Sequence, residues 1–327
     1  MPMAVLGTAA GLLGAYAVAS WVVYDRVSRA AGGCWPDDVD NTPSAYRVRD
    51  GFDQTIADRN RMPAPADVRF RSRDPAIPDL ELAGWWLPAD KEDAPAVVVV
   101  HGVQSCRREA NVLVPAGMLH RAGFSVFLID ARDHGDSDGH DGRFAAGTDE
   151  HLDVLGAWDW VRAQGVPAAR IGLLGMSFGA INSVIAGGED RRVAAVWADS
   201  VATRMGEAIG NFVVDQLGDP TGVSRLLVPG GLVWARIIAG DDLTRYDPID
   251  EVGRYADRWI AFVQGEEDRV LPPAMADAMH GAAVAAGART APLWVAPGAG
   301  HGEALFFEPD AYERRLVDFF TDALGEP

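Results

Sequence analysis

Lysine is almost missing from this chain. Lys91 is the only one, and counting arginine the 327 residues carry 29 basic against 47 acidic side chains, a formal net charge of −18. Recognition of nucleic acid rests on clustered Lys and Arg that neutralise phosphates, so nucleic acid is not an expected partner. Cysteine is nearly as scarce. Two residues, Cys34 and Cys106, can build neither a multi-bridge framework nor a four-thiolate metal site; Cys34 is read as a free thiol, and neither cysteine is assigned chemistry. Low-complexity tracts and internal repeats are also lacking. With 48% hydrophobic and 23% charged residues, the composition is that of a folded globular chain.

Charge is absent altogether from Met3 to Tyr24, 22 consecutive positions rich in Ala, Val, Leu and Gly. A helix of that length spans the roughly 30 Å of a bilayer core, and Trp21 and Tyr24 stand where interfacial aromatics belong. No basic residues precede the stretch, as a cleaved signal peptide would require. Residues 1–24 are therefore expected to be an uncleaved single-pass anchor, with secretion after signal-peptide cleavage as the alternative. Arg26 and Arg29 flank only its C-terminal side, which by the positive-inside rule puts the following domain in the cytoplasm.

Residues 25–62 are polar and irregular and read as a linker. Beyond them, apolar runs alternate with helical patterns, the signature of a mostly parallel sheet covered by helices on both faces. Eight strands are expected, at Val68–Ser72, Leu80–Leu87, Ala96–Val100, Ser125–Ile129, Ile171–Leu174, Val193–Ala198, Trp259–Val263 and Pro292–Val295. The central ones are continuous Val, Ile, Leu and Phe runs typical of strands buried on both faces. The rhythm breaks after Asp199, where no strand follows until Trp259. Apolar clusters in this gap make it too long and too apolar for a plain loop, and residues 201–245 are read as a small helical cap, with an added surface layer as the alternative. The core is then 63–200 and 246–325.

Gly175-Met176-Ser177-Phe178-Gly179 follows the strand Ile171–Leu174 and opens a helical run. Strand, turn and helix are the setting that a G-x-S-x-G nucleophile elbow requires, and glycines on both sides suit a turn too tight for side chains. Ser177 is the candidate nucleophile. A serine hydroxyl needs a base oriented by a third group. His301, in Gly300-His301-Gly302 just after the last strand, is the candidate base, and Asp268, in the loop after the preceding strand, is the candidate carboxylate, with Asp199 as its substitute. Donors for a developing oxyanion are the backbone N–H groups of Phe178 and of Val103, in the loop that begins His101-Gly102. His101 is read as a brace for that loop. A metal reading of the acidic loop containing Asp130, Asp133, His134, Asp136, Asp138, His140 and Asp141 fits no ligand template, and neither metal nor cofactor is expected.

Together His101-Gly102 with Ser105, the run from Ile129 to Gly139, the Ser177 elbow, the Asp268 loop with Pro272, and Gly300-His301-Gly302 resemble the α/β-hydrolase superfamily over about residues 65–325. The run from Ile129 resembles that family's structural D-x-R-G-x-G-x-S loop, with Asp133 where glycine is usual. Within the superfamily the chain is similar to membrane-anchored, monoacylglycerol-lipase-like and serine-aminopeptidase-like hydrolases. The resemblance implies an α/β-hydrolase fold, a mostly parallel eight-stranded doubly wound sheet with a helical cap after the N-terminal transmembrane helix. It also implies a Ser177–His301–Asp268 triad without cofactor, and the triad, the apolar cap and the anchor together point to a small or lipid-like ester as substrate. A peptidase, holding a free amino terminus on cap carboxylates such as Glu207, Asp215, Asp241 or Asp242, and an acyltransferase are the alternatives, since a fold does not name a substrate.

Overall fold

Each central strand is apolar along its whole length because it is covered twice. The structure, a computed structural model, describes residues 2–30 and 34–327, with side chains in the first helix from Ala10 onward. Its strands are β1 (Ala66–Arg71), β2 (Glu81–Leu87), β3 (Ala96–Val100), β4 (Ser125–Ile129), β5 (Ile171–Met176), β6 (Ala195–Asp199), β7 (Trp259–Gly265), β8 (Arg289–Thr290) and β9 (Trp294–Ala296). They form one sheet in the order β1-β2-β4-β3-β5-β6-β7-β8, with β9 also on β7. The first two strands pair antiparallel and the rest parallel. Alternate side chains feed opposite cores, as the two-residue period of a strand demands. Ala96, Val98, Val100, Phe127 and Ile129 join one cluster; Val97, Val99, Val126 and Leu128 join the other.

The sheet therefore has nine strands among the described residues, not the expected eight. The single edge strand expected at Pro292–Val295 is two short pieces that pair with successive parts of β7, at Trp259–Ile260 and at Val263–Gly265. Pro292 lies between them, and a proline has no N–H to continue a ladder.

The helices are α1 (Pro2–Ser28), α2 (Thr55–Arg59), α3 (Ala110–Arg121), α4 (Glu150–Ala163), α5 (Phe178–Glu189), α6 (Met205–Gln216), α7 (Val228–Ile238), α8 (Pro248–Val252), α9 (Pro273–Ala285), α10 (Ala304–Phe307) and α11 (Pro309–Leu324), with 3-10 turns at Ala168–Arg170 and Val223–Leu227. The stretch between β6 and β7 holds α6, the second 3-10 turn, α7 and α8. Residues read as a linker are partly packed: Tyr46, Val48, Ile56, Ala57 and Met62 are buried in the cluster that contains α3.

Among the described residues no helix is long and apolar enough to cross a membrane, so the span expected over residues 3–24 is not found there; the side chains of residues 3–9 lie outside the described set. The second half of α1 folds back onto the protein. Ser20, Val23, Tyr24 and Val27 are buried. The Tyr16 hydroxyl donates to Leu226 O at 2.9 Å, and Trp234 Nε1 donates to Ala17 O at 2.9 Å. A Cβ at Gly230 of α7 would collide with the Ser20 side chain, so the two helices touch at backbone distance. A strip of Ala, Val and Tyr finds in α6 and α7 the apolar partner that hydropathy alone assigns to lipid.

Cys34 and Cys106 are joined in a disulfide, with Cα atoms 5.1 Å apart and a sequence separation of 72. This corrects the free-thiol reading. The bridge becomes possible because the end of α1 runs beside the loop after β3, where the Gln104 side-chain amide donates to Arg29 O at 3.1 Å. A bridge closing a loop of this size restricts the unfolded chain, and its loss typically costs about 2–4 kcal/mol. Cys34→Ser is expected to lower the unfolding free energy by that amount in urea titrations, with wild type in reductant matching the variant. Quantitative alkylation of both thiols in the native, unreduced protein would show that the bridge is not there.

Candidate active site

Parallel register brings the carboxyl ends of the central strands to one edge. Val100 stands opposite Gly175, Met176 opposite Asp199, Asp199 opposite Val263, and Gly265 opposite Ala296. The loops after β3, β5, β6, β7 and β9 thus leave the sheet side by side, where open α/β sheets bind ligands. These loops carry Val103, Ser177, Asp199, Asp268 and His301.

Ser177 joins β5 to α5 with φ 54° and ψ −112°, a conformation that costs a side-chain-bearing residue about 1–3 kcal/mol. Packing around the turn holds it there. A Cβ at Gly175 would overlap the backbone of Gly179, and one at Gly179 would overlap the carbonyls of Val100 and His101. The Ser177 N–H donates to Asp199 O at 2.8 Å, tying the turn to β6. The hydroxyl is left partly exposed above the sheet edge.

His301 Nε2 lies 2.8 Å from Ser177 Oγ, and His301 Nδ1 lies 2.7 Å from Asp268 Oδ2. A carboxylate only accepts, so Nδ1 carries the proton and Nε2 is free to accept from the serine hydroxyl. Asp268 is buried and fully engaged. The N–H groups of Val270 and Leu271 donate to Oδ1 at 2.9 and 2.8 Å, and Gln264 Nε2 donates to Oδ2 at 2.7 Å. Burial of the His301 imidazole opposes its protonation. The hydrogen bond and charge of Asp268 outweigh that, with Asp199 and Asp215 acting in the same sense, and the pKa is raised above 6.5.

His101 has the opposite fate. It is fully buried and its pKa is pushed down to about 3 by burial first, then by His134. Its neutral ring braces the turn. Nε2 accepts from Ala131 N at 3.1 Å, and Nδ1 sits 2.6 Å from Gly102 O. The loop after β3 is fastened at further points, because Gln104 N donates to His134 Nε2 at 3.2 Å, Arg107 pairs with buried Asp130, and Cys106 carries the bridge to Cys34. Among the described residues, the N–H groups of Val103 and Phe178 donate to no protein acceptor. Both are available to a ligand oxygen.

Asp199, the substitute carboxylate, does not meet His301 in this arrangement. It is completely buried at the end of β6, and burial raises its pKa to about 6. Its Oδ1 accepts from Ser200 Oγ at 3.0 Å, and Ser200 Oγ accepts from the N–H of Gly302 at 3.1 Å, so the pair supports the His301 loop from behind. Asp133 adopts φ 62°, the glycine-like geometry of the position it occupies. Its Oδ1 accepts from the N–H groups of His140 and Gly142 at 2.7 and 2.9 Å. Among the described residues, no three His, Cys, Asp or Glu side chains are placed to hold a metal ion. Sequence reasoning missed Gln264 and Ser200; the only signal was a polar residue closing an apolar strand.

The arrangement can take a proton from a serine hydroxyl, stabilise the resulting imidazolium and offer two N–H groups to an oxyanion. Residues 91–208 match the family model described as serine aminopeptidase, S33. An uncharacterised 31.7 kDa protein of Escherichia coli, from the traX-finO intergenic region, is 32% identical over 110 residues, 33% of this chain. The chain spans 37% of the length of that curated relative. Among solved structures, an esterase from Pyrococcus furiosus is similar with a TM-score of 0.64 and 18% identity, over 87% of this chain and 98% of that one. An acylaminoacyl peptidase from Pyrococcus horikoshii is similar with a TM-score of 0.57 and 18% identity, over 80% of this chain and 42% of that one. The chain thus has the fold of the α/β-hydrolases, and over residues 91–208 it matches the serine aminopeptidase model.

Proposed function

We propose that the protein is a serine hydrolase that cleaves carboxylic esters through an acyl-enzyme at Ser177. The observation that carries this reading is the unbroken line of contacts from Ser177 Oγ through His301 to Asp268, at 2.8 and 2.7 Å. Ser177 attacks the ester carbonyl while His301 Nε2 takes its proton. The N–H groups of Val103 and Phe178 hold the oxyanion, a contribution worth several kcal/mol in such sites. His301 then gives the proton to the departing alkoxide, and in the second half it activates the water that releases the acid. The apolar cap helices and the likeness in fold to a Pyrococcus esterase support an ester.

Amide cleavage at a free amino terminus is the second reading, favoured by the match to the serine aminopeptidase model and by the field of Asp215 at His301. The Cys34–Cys106 bridge supports an extracytoplasmic catalytic domain over the cytoplasmic side to which Arg26 and Arg29 point, because disulfides persist in oxidising compartments. Membrane association enters as interfacial contact. Leu12, Leu13, Val18, Trp21 and Val22 of α1 are exposed, as are Val233, Ile237 and Ile238 of α7, and exposed apolar patches of this kind mark contact surfaces.

Ser177→Ala is expected to lower kcat on p-nitrophenyl esters at least about 10³-fold without a change in unfolding midpoint; equal rates for the two proteins would refute the nucleophile. Aminoacyl-naphthylamide turnover above ester turnover would replace the first reading with the second. Because the neutral imidazole is the base and its pKa is raised, kcat/KM is expected to fall with decreasing pH along an acid limb centred above 6.5. Asp268→Asn should move that limb downward and reduce kcat by about 10⁴-fold. An unmoved limb in this variant would separate Asp268 from His301.

A further inference from the structure

Two N–H groups flank His301 along the chain, and a side chain holds each. Gly300 N donates to Glu303 Oε2 at 3.0 Å, and Gly302 N donates to Ser200 Oγ at 3.1 Å. The first holder is paired at the surface with the exposed Arg49. The second is completely buried, and so is its neighbour Asp199.

Ser200 directly follows β6 with φ 58°, in the left-handed region that costs a side-chain-bearing residue about 1–3 kcal/mol. Glycine would relieve that cost, so a hydroxyl is kept here against the preference of the backbone. Asp199 carries a cost of its own. Its Oδ1 accepts from Ser200 Oγ at 3.0 Å, while its buried Oδ2 has no hydrogen-bond partner among the described residues, and a half-satisfied buried carboxyl is unfavourable.

The Ser200 hydroxyl connects these costs to the site. A carboxylate only accepts, so Asp199 takes the Ser200 proton and leaves the lone pairs of Oγ for the Gly302 N–H. The main chain of the same pair is fastened as well: Ser177 N donates to Asp199 O at 2.8 Å, and Ser200 N donates to Val263 O at 2.9 Å. One dipeptide thus holds the nucleophile by its carbonyl and the loop of the base by its hydroxyl.

We propose that Asp199 and Ser200 are positioning residues that fix the gap between Ser177 and His301, with the Asp199 carboxylate also stabilising the His301 imidazolium. The proposal rests on the serine-hydrolase reading above. Neither residue touches the reacting atoms. Ser177 Oγ must stay within reach of Nε2, 2.8 Å away, and a displacement of about 1 Å in such a pair costs roughly 10²-fold in rate. Asp199 acts on His301 in the same sense as Asp268 and as Asp215 of α6, and Glu109, ahead of α3, faces the same imidazole. Asp199 is itself faced by Tyr312 of α11 and by Asp268. Burial lifts its pKa only to about 6, below the raised value of His301, so the carboxyl is ionised where His301 takes its proton.

The test uses the full chain with Ser200→Gly and Asp199→Asn. Glycine suits the backbone at φ 58° and removes the hydroxyl, so the unfolding midpoint is expected to hold or rise while kcat falls roughly 10- to 100-fold at unchanged KM. Asparagine keeps an oxygen for the Ser200 hydroxyl and loses the charge. The titration of His301, followed by nitrogen NMR of isotope-labelled histidine, is then expected to move down by roughly half a pH unit, and the acid limb of kcat/KM with it. The downfield Nδ1 proton of His301 reads position without turnover and is expected to broaden in Ser200→Gly. Wild-type kcat, or a resonance as sharp as in wild type, would overturn the role of Ser200; an unmoved titration would overturn that of Asp199. A wild type that turns over neither ester nor amide would end the hydrolase reading, and the two NMR measurements would still decide this one.

Discussion

At Gly175 and Gly179 the backbone passes itself with no room for a single methyl group, and the arrangement of the site follows from that contact. The tight passage forces Ser177 into a left-handed conformation that its own side chain resists. Neighbouring strands hold it there, through the Ser177 N–H on Asp199 O and the Gly179 contact with Val100 and His101. The strain is therefore sustained by the parallel sheet as a whole. In return the hydroxyl is left partly exposed at the start of α5, where the N–H of Phe178 donates to no protein acceptor among the described residues.

Around that fixed point two histidines in similar loops receive opposite electrostatic treatment. Each follows the end of a strand at the same edge of the sheet; His101 is fully buried and His301 is partly buried. His101 faces a second imidazole and backbone, so the Gly102 carbonyl alone cannot offset the cost of burying its charge, and it is neutral across the physiological range. His301 faces a carboxylate that is itself held by two N–H groups and by Gln264, so the imidazolium is favoured despite burial. Burial alone would make both histidines inert. The partner decides which one can act as a base.

The parts of this legible in the sequence were those written in short, contiguous signals. Runs such as Ala96–Val100 and Ser125–Ile129 read as strands buried on both faces because no polar residue interrupts them, and glycines on both sides of Ser177 read as a turn because nothing else fits there. Chain order then placed Asp268 and His301 at neighbouring strand ends, where the structure sets His301 within hydrogen-bond distance of both Asp268 and Ser177. Long-range relations were not legible. Nothing near Cys34 or Cys106 announces a partner 72 residues away. Hydropathy registers that the stretch from Met3 to Tyr24 avoids water, and it cannot say whether lipid or the cap replaces that water. Gln264 closes an apolar strand without any local pattern to mark its bond to Asp268.

The fate of α1 changes what the N-terminal segment contributes. A membrane span would make it a tether, independent of chemistry except for location. Packed on α6 and α7, paired with residues 142–144 and followed by Cys34, which is cross-linked to Cys106 in the loop after β3, it is joined to the rest of the molecule at several points. The exposed face of the same helix still carries Leu12, Leu13, Val18, Trp21 and Val22, so one surface of α1 faces outward as an apolar patch while the other packs on the cap. The triad is shared by esterases and peptidases alike, so selectivity between the two chemistries has to reside in what surrounds Ser177 and not in the triad itself.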